Sequence, residues 1–287
     1  MTKKRLFLAL GIFCFVALLF VLGIFDVAIS DTVYKADSRV GHFFETTGEP
    51  PSIILFVFCV NFLLVFERNL AYRISHFVWG VIGLTYLMLK LSGDFCPTGA
   101  FPMYVNIIIG VVAQFLLSAV FYYSLKKKYK ERFSLGVDDE GIRSFCAKCR
   151  VAALCCIITL FVSFFLKAFW GRVRYRDVLA GKGAYSFFAI PQFFTGHFSF
   201  PSGHSANAAC FISVTYLVSD KKKLTVLRCI LVVWLVLTAF SRLRLGAHYI
   251  TDIVMGVAVG LFAVWVSPRL MEKFKKMREA RRELPTK

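Results

Sequence analysis

Charge is scarce in this sequence, and negative charge more so. Of 287 residues, 18% are charged, with 17 acids against 35 bases, while 58% are hydrophobic and 16% aromatic. A soluble globule keeps its apolar share nearer ~45–50%, so that class is excluded and an all-α, polytopic membrane bundle is expected. The formal charge of +18 does not indicate a nucleic-acid partner, because such binders spread basic residues over a polar surface. Here Lys and Arg stand in short clusters between apolar runs, where they record topology.

A disulfide framework is also missing. Of the nine cysteines, Cys14, Cys59, Cys155, Cys156, Cys210 and Cys229 lie in apolar runs, where cysteine behaves as a small hydrophobe. Cys146 and Cys149 form a lone pair at two-residue spacing, without the second pair or the histidines that a zinc site needs. His197 stands seven residues before His204 without a clear third ligand, so it reads as a loop histidine, and His42 and His76 as incidental. There is no internal repeat, Walker loop or dinucleotide glycine fingerprint. No metal and no cofactor is expected.

What the chain does have is apolar runs near the ~20 residues a spanning helix needs. Eight are expected, at 6 to 25, 51 to 66, 76 to 91, 103 to 124, 151 to 168, 204 to 219, 224 to 241 and 252 to 267. They divide the chain into N-terminal spans (1–125), a basic loop (126–150), a core (151–267) and a basic tail (268–287). Lys3, Lys4 and Arg5, Arg68 with Arg73, the run from Lys126 to Arg150, Lys221 to Lys223 and the tail from Arg269 fall on one face. The positive-inside rule makes that face, with both termini, cytoplasmic. Loop 26–50, with Asp26, Asp31, Asp37, Glu45 and Glu49, and loop 92–102, with Asp94, lack basic clusters and face outward. Ala28-Ile29-Ser30 is a weak signal-junction pattern, but the preceding run is longer than a signal core, which favours a retained anchor. Leu270, Phe274 and Met277 recur at helical spacing in the tail, as in a helix lying on an anionic leaflet. Arg244 reads as an interface anchor.

On this topology three distant clusters meet at the outer face: Lys167 with Arg174, Pro201 to His204, and Ser241 to Asp252. Lys167 and Arg174 are seven apart, so a continuing helix offers both cations on one side. Arg242 adds a guanidinium fork suited to phosphate oxygens. Ser202 and Gly203 stand where a helix begins, and its unpaired N–H groups bind anions. His248 and Asp252 are i and i+4, so the carboxylate is expected to accept one ring N–H and hold the other nitrogen as a nucleophile. His204 is left to protonate a leaving oxygen. The aromatic loop from Tyr185 through Phe187, Phe188, Phe193, Phe194 and Phe198 to Phe200 suits an interfacial belt or a greasy entrance for a lipid tail.

These residues resemble the type 2 phosphatidic acid phosphatases, kin of the vanadium haloperoxidases. That family's motifs are Lys, six residues, Arg-Pro; Pro-Ser-Gly-His; and Ser-Arg, five residues, His, three residues, Asp. The second stands complete at Pro201-Ser202-Gly203-His204, and the third at Ser241, Arg242, His248 and Asp252. The first matches at Lys167 and Arg174, with Tyr175 in place of proline. The likeness covers roughly 150–267. Proline would end the helix at Arg174; with Tyr175 the helix is free to continue, aiming Arg174 differently and letting Arg172 or Arg176 share its role.

The resemblance implies metal-independent hydrolysis of a phosphomonoester or diphosphate. It assigns a phosphohistidine to His248, acid catalysis to His204, orientation to Asp252, and phosphate binding to Lys167, Arg174, Ser202, Gly203 and Arg242. With the site near the membrane interface, the expected substrate is a lipid phosphate such as undecaprenyl diphosphate, phosphatidylglycerol phosphate, phosphatidic acid or a lipid A phosphate, in a bacterial plasma membrane. Rival readings are a same-family phosphatase for a soluble phosphate, a lipid phosphotransferase, and a lipid transporter, which would have no use for the His248 and Asp252 pair.

Overall fold

A computed structural model describes residues 3–95, 101–128 and 140–283. Within these, the elements are α1 (Lys3–Val33), α2 (Arg39–Thr47), α3 (Pro50–Phe66), α4 (Leu70–Phe95), α5 (Met103–Lys128), α6 (Glu140–Trp170), α7 (Tyr175–Leu179), α8 (Gly203–Cys210), a 3₁₀ helix (Phe211–Leu217), α9 (Lys221–Arg244) and α10 (Ile250–Glu283). No strand occurs among the described residues, so the all-helical expectation holds. Residues 129–139 of the basic loop, the end of the tail and the Asp94 side chain lie outside what is described.

Seven helical segments among the described residues are long and apolar enough to cross a membrane, where eight spans were expected. The difference is segment 204–219. It is an eight-residue α-helix that passes into a seven-residue 3₁₀ helix, too short to qualify as α10 and its like do. The expected outer loop 26–50 is also largely helical, since Asp26 and Asp31 belong to α1 and Glu45 to α2. The tail does not form a separate helix: α10 runs on through Pro268 to Glu283.

Local chemistry sets the boundaries that matter. Proline begins α3, where its missing N–H costs nothing. α6 carries Glu140 in its first turn and Lys167 in its last, both complementing the helix dipole. It stops at Gly171, whose φ of 56° is the left-handed conformation that glycine adopts without penalty. The Gly171 N–H closes on the Lys167 carbonyl at 3.1 Å, and the next three carbonyls accept N–H groups from Phe194, Phe193 and Gln192. At membrane depth an unsatisfied carbonyl costs several kcal/mol, so this loop completes the end of the helix.

The chain divides into two compact units: Met1–Gly48, Thr159–Ala209 and Val233–Leu261 form one, and Glu49–Ile158, Cys210–Val232 and Phe262–Lys287 the other. In the first, Leu19 of α1 packs with Phe188 and Phe200 beneath Trp170, Val254 and Met255. The Arg244 guanidinium donates to the Val33 carbonyl at 2.8 Å and caps α1. In the second unit, buried Cys59, Cys146, Cys149, Cys155, Cys156 and Cys210 pack among Leu55, Phe56, Val60 and Leu63, as small hydrophobes do. Asn61, Gln114 and Ser118 satisfy one another between α3 and α5.

Candidate active site

All eight residues singled out from the sequence fall in the first unit. The Pro-Ser-Gly-His turn lies against the start of α10. Ser202 N–H donates to the Asp252 carbonyl at 2.8 Å. A Cβ on Gly256 would stand 2.3 Å from the Ser202 carbonyl oxygen, so only glycine lets the two backbones approach this closely. The peptide between Phe200 and Pro201 is cis. Ser202 Oγ accepts from Ser205 Oγ at 3.0 Å. The Ser202 N–H is engaged by the fold, while Gly203, half-buried at the first position of α8, keeps the helix-start character.

His248 is almost fully buried. Its Nδ1 lies 2.7 Å from the Ser199 carbonyl oxygen and 3.7 Å from Asp252 Oδ2, so the ring N–H donates to Ser199 and not to the carboxylate. Asp252 acts one step removed. Its Oδ2 accepts from Ser199 Oγ at 2.6 Å and from Tyr249 N–H at 2.9 Å, and its Oδ1 from Arg172 Nη1 at 2.6 Å. With a carbonyl as acceptor, Nδ1 must carry the proton and Nε2 the lone pair. Burial pushes the His248 imidazole well below its ordinary 6.5, the Lys167 and Arg242 cations push the same way, and Asp252 opposes them.

Arg174 has extended backbone, φ −73° and ψ 151°, and sits as the N-cap of α7. The helix does not continue through it, contrary to the expectation that Tyr175 in place of proline raised. Tyr175 takes the first helical position with its ring buried and its hydroxyl donating to Asp31. Arg172 does not share the phosphate role. It is 1% exposed, with Nη2 on Asp26 Oδ2 at 2.9 Å, Nη1 on Asp252 and on Thr251 Oγ1, and Nε on the Ser186 carbonyl. Tyr249 lies 4.1 Å from its guanidinium carbon as a cation–π face.

The cationic side of the site is organised around Glu45, which sequence reasoning passed over as a topology marker. Its carboxylate accepts from Arg242 Nη2 at 2.9 Å and from Arg176 Nη1 at 3.5 Å. Its backbone carbonyl accepts from His204 Nε2 at 2.8 Å. Lys167 Nζ reaches the Phe198 carbonyl at 2.8 Å. One residue of α2 thus touches both an expected phosphate ligand and the expected general acid. Asp26, Ser199 and Thr251 were missed as well. For Asp26 the signal was there: an acid at the end of an apolar run is costly unless paired.

Among the described residues, no group of three or more His, Cys, Asp or Glu is spaced to hold a metal ion. The arrangement instead offers an unprotonated imidazole nitrogen beside cations that can take up an anion.

Residues 149–276 match the PAP2 superfamily. Over 91 residues the chain is 36% identical to phosphatidylglycerophosphatase B of Bacillus subtilis (strain 168), covering 29% of this chain and 43% of that protein. Lipid A 1-phosphatases of Rhizobium johnstonii and Rhizobium etli are 35% identical over 105 residues and 36% identical over 98. Those matches cover 36% and 33% of this chain and 38% of each relative. The chain spans under half the length of these curated relatives. No solved structure gives a significant match.

Proposed function

We propose, from the PAP2 superfamily domain at residues 149–276, that this is an integral-membrane phosphatase hydrolysing a lipid phosphate or diphosphate on the extracytoplasmic side. The observation that carries the reading is the state of His248: buried, its Nδ1–H given to Ser199, its Nε2 left with a lone pair. A histidine fixed in that tautomer next to cations has the form of a phosphoryl acceptor. The names of the relatives point to membrane lipids as the substrate class.

The reaction runs in two displacements. His248 Nε2 attacks phosphorus in line as the bond to the leaving oxygen breaks, and a His204 imidazolium gives that oxygen its Nε2 proton, which in the free protein rests on the Glu45 carbonyl, and becomes neutral. Lys167, Arg174 and Arg242 neutralise the equatorial oxygens, with the Gly203 N–H at the helix start supporting them. Water then attacks the phosphohistidine, His204 takes its proton, the N–P bond breaks and phosphate leaves. Phosphate entering the cradle displaces the Glu45 carboxylate from Arg242.

The lipid side of the proposal rests on the aromatic loop. Phe193 and Phe194 hold positive φ values of 50° and 52°, which non-glycine residues adopt at a cost, and their rings are 54% and 77% exposed. The strain turns two apolar rings outward next to the last turn of α6 and Lys167, as a tail-binding rim beside a head-group site requires. Purified protein in detergent, given long-chain and short-chain phosphates, tests it. Phosphate release from long-chain lipids that stops in His248→Ala supports the reading; turnover surviving in that variant contradicts it, and equal preference for a short soluble phosphate removes the lipid.

A further inference from the structure

We infer that Asp26 of α1, which lies outside the matched 149–276 domain, is a positioning residue of the active site and acts through Arg172 on Asp252. This rests on the proposed phosphatase reading and extends the site to a helix the family match does not include.

Geometry carries the inference. Asp26 is fully buried and follows directly on the apolar run 6–25 of α1. Its Oδ1 accepts the Thr251 N–H at 3.0 Å, and its Oδ2 accepts from Thr251 Oγ1 at 2.6 Å and from Arg172 Nη2 at 2.9 Å. The N-cap position of α10 belongs to Tyr249, whose side chain has no short oxygen to receive the N–H groups of the first turn. Asp26 supplies that acceptor from another helix, while Asp252 reaches back to the Tyr249 N–H as the acid of a capping box does. The first turn of the helix that bears Asp252 is therefore fixed from both sides.

The division of the Arg172 fork follows. A guanidinium meeting one carboxylate prefers to hold both its oxygens. Here one nitrogen is taken by Asp26 and the other by Asp252 Oδ1, which leaves Asp252 Oδ2 for Ser199 Oγ and Tyr249 N–H. Ser199 in turn supplies the carbonyl on which His248 Nδ1–H rests. Without Asp26 the fork is free to close on Asp252, drawing Oδ2 from Ser199 and loosening the imidazole. A carboxylate that served helix packing alone would leave the chemical step of folded protein untouched.

The test compares wild type, Asp26→Asn and His248→Ala as purified, monodisperse protein, measuring kcat and KM for a lipid phosphate and the Kd of inorganic phosphate. In Asp26→Asn kcat falls about 10- to 100-fold, while KM and the phosphate Kd stay within about two-fold because Lys167, Arg174 and Arg242 are unchanged. Asp26→Glu recovers part of the loss. Should Asp26→Asn not fold, Thr251→Val, which replaces the hydroxyl between Asp26 and Arg172 with a methyl, shows the same split at smaller size. Wild-type kcat in the folded variant, or a fall in kcat matched by lost phosphate binding, overturns the inference while the phosphatase reading stands. Activity surviving His248→Ala overturns both.

Discussion

At the scale of single residues, His248 carries the account. Because burial lowers its pKa from 6.5, the folded protein keeps the ring neutral where a free histidine would take a proton. For activity, the acid limb of kcat/KM then lies below pH 6.5, and the nucleophile persists into mildly acidic solution. For stability the sign is the same. The unfolded chain binds the proton more readily, so this contribution is present in full above 6.5 and is lost as pH falls from there through the folded value. A pH–rate profile with an acid limb at or above 6.5 contradicts the assignment. The i, i+4 spacing of His248 and Asp252 was legible in the sequence, but the Ser199 carbonyl that receives the ring N–H was not. A backbone acceptor leaves no trace in residue type, and this one depends on how the loop from Trp170 folds back.

At the scale of elements, α2 and the crossing of α8 over α10 make separate predictions. Glu45→Gln keeps the α2 backbone that receives His204 and removes the charge held by Arg242. Inorganic phosphate and vanadate then bind about 3- to 10-fold more tightly, because they no longer displace a resident carboxylate; weaker binding shows that Glu45 assists the anion instead. Gly256→Ala places a methyl 2.3 Å from the Ser202 carbonyl oxygen, and two backbones must part to admit it. Overpacking of this kind costs about 1–3 kcal/mol, with turnover falling more than stability since the Pro-Ser-Gly-His turn moves with it. Thermal unfolding and kcat measured side by side check this, and unchanged values for both contradict the close approach. The apolar runs announced most of the helices, but the short α8 with its 3₁₀ continuation, and α2, did not show themselves. A mostly apolar segment such as 204–219 reads alike as a span or as two shorter pieces, because hydropathy carries no record of hydrogen-bond period.

At the scale of the whole molecule, the family match is confined to residues 149–276, while α1 and α2 supply acids to the same site from outside that stretch. Asp26 and Glu45 were legible as acids flanking an apolar run and not as partners of Arg172 and Arg242, because the pairing joins positions 146 and 197 residues apart. Missing the proline after Arg174 raised an expectation of a continuing helix. Gly171 had already ended it, with the carbonyls of α6 received by the aromatic loop. The central claim, that His248 takes the phosphoryl group, is tested most directly by trapping. Protein mixed briefly with a radiolabelled lipid phosphate is denatured in alkali, which preserves a phosphohistidine, and the labelled peptide is identified by mass spectrometry. The account predicts label on His248, absent in His248→Ala; turnover without label there, or label on another side chain, contradicts it.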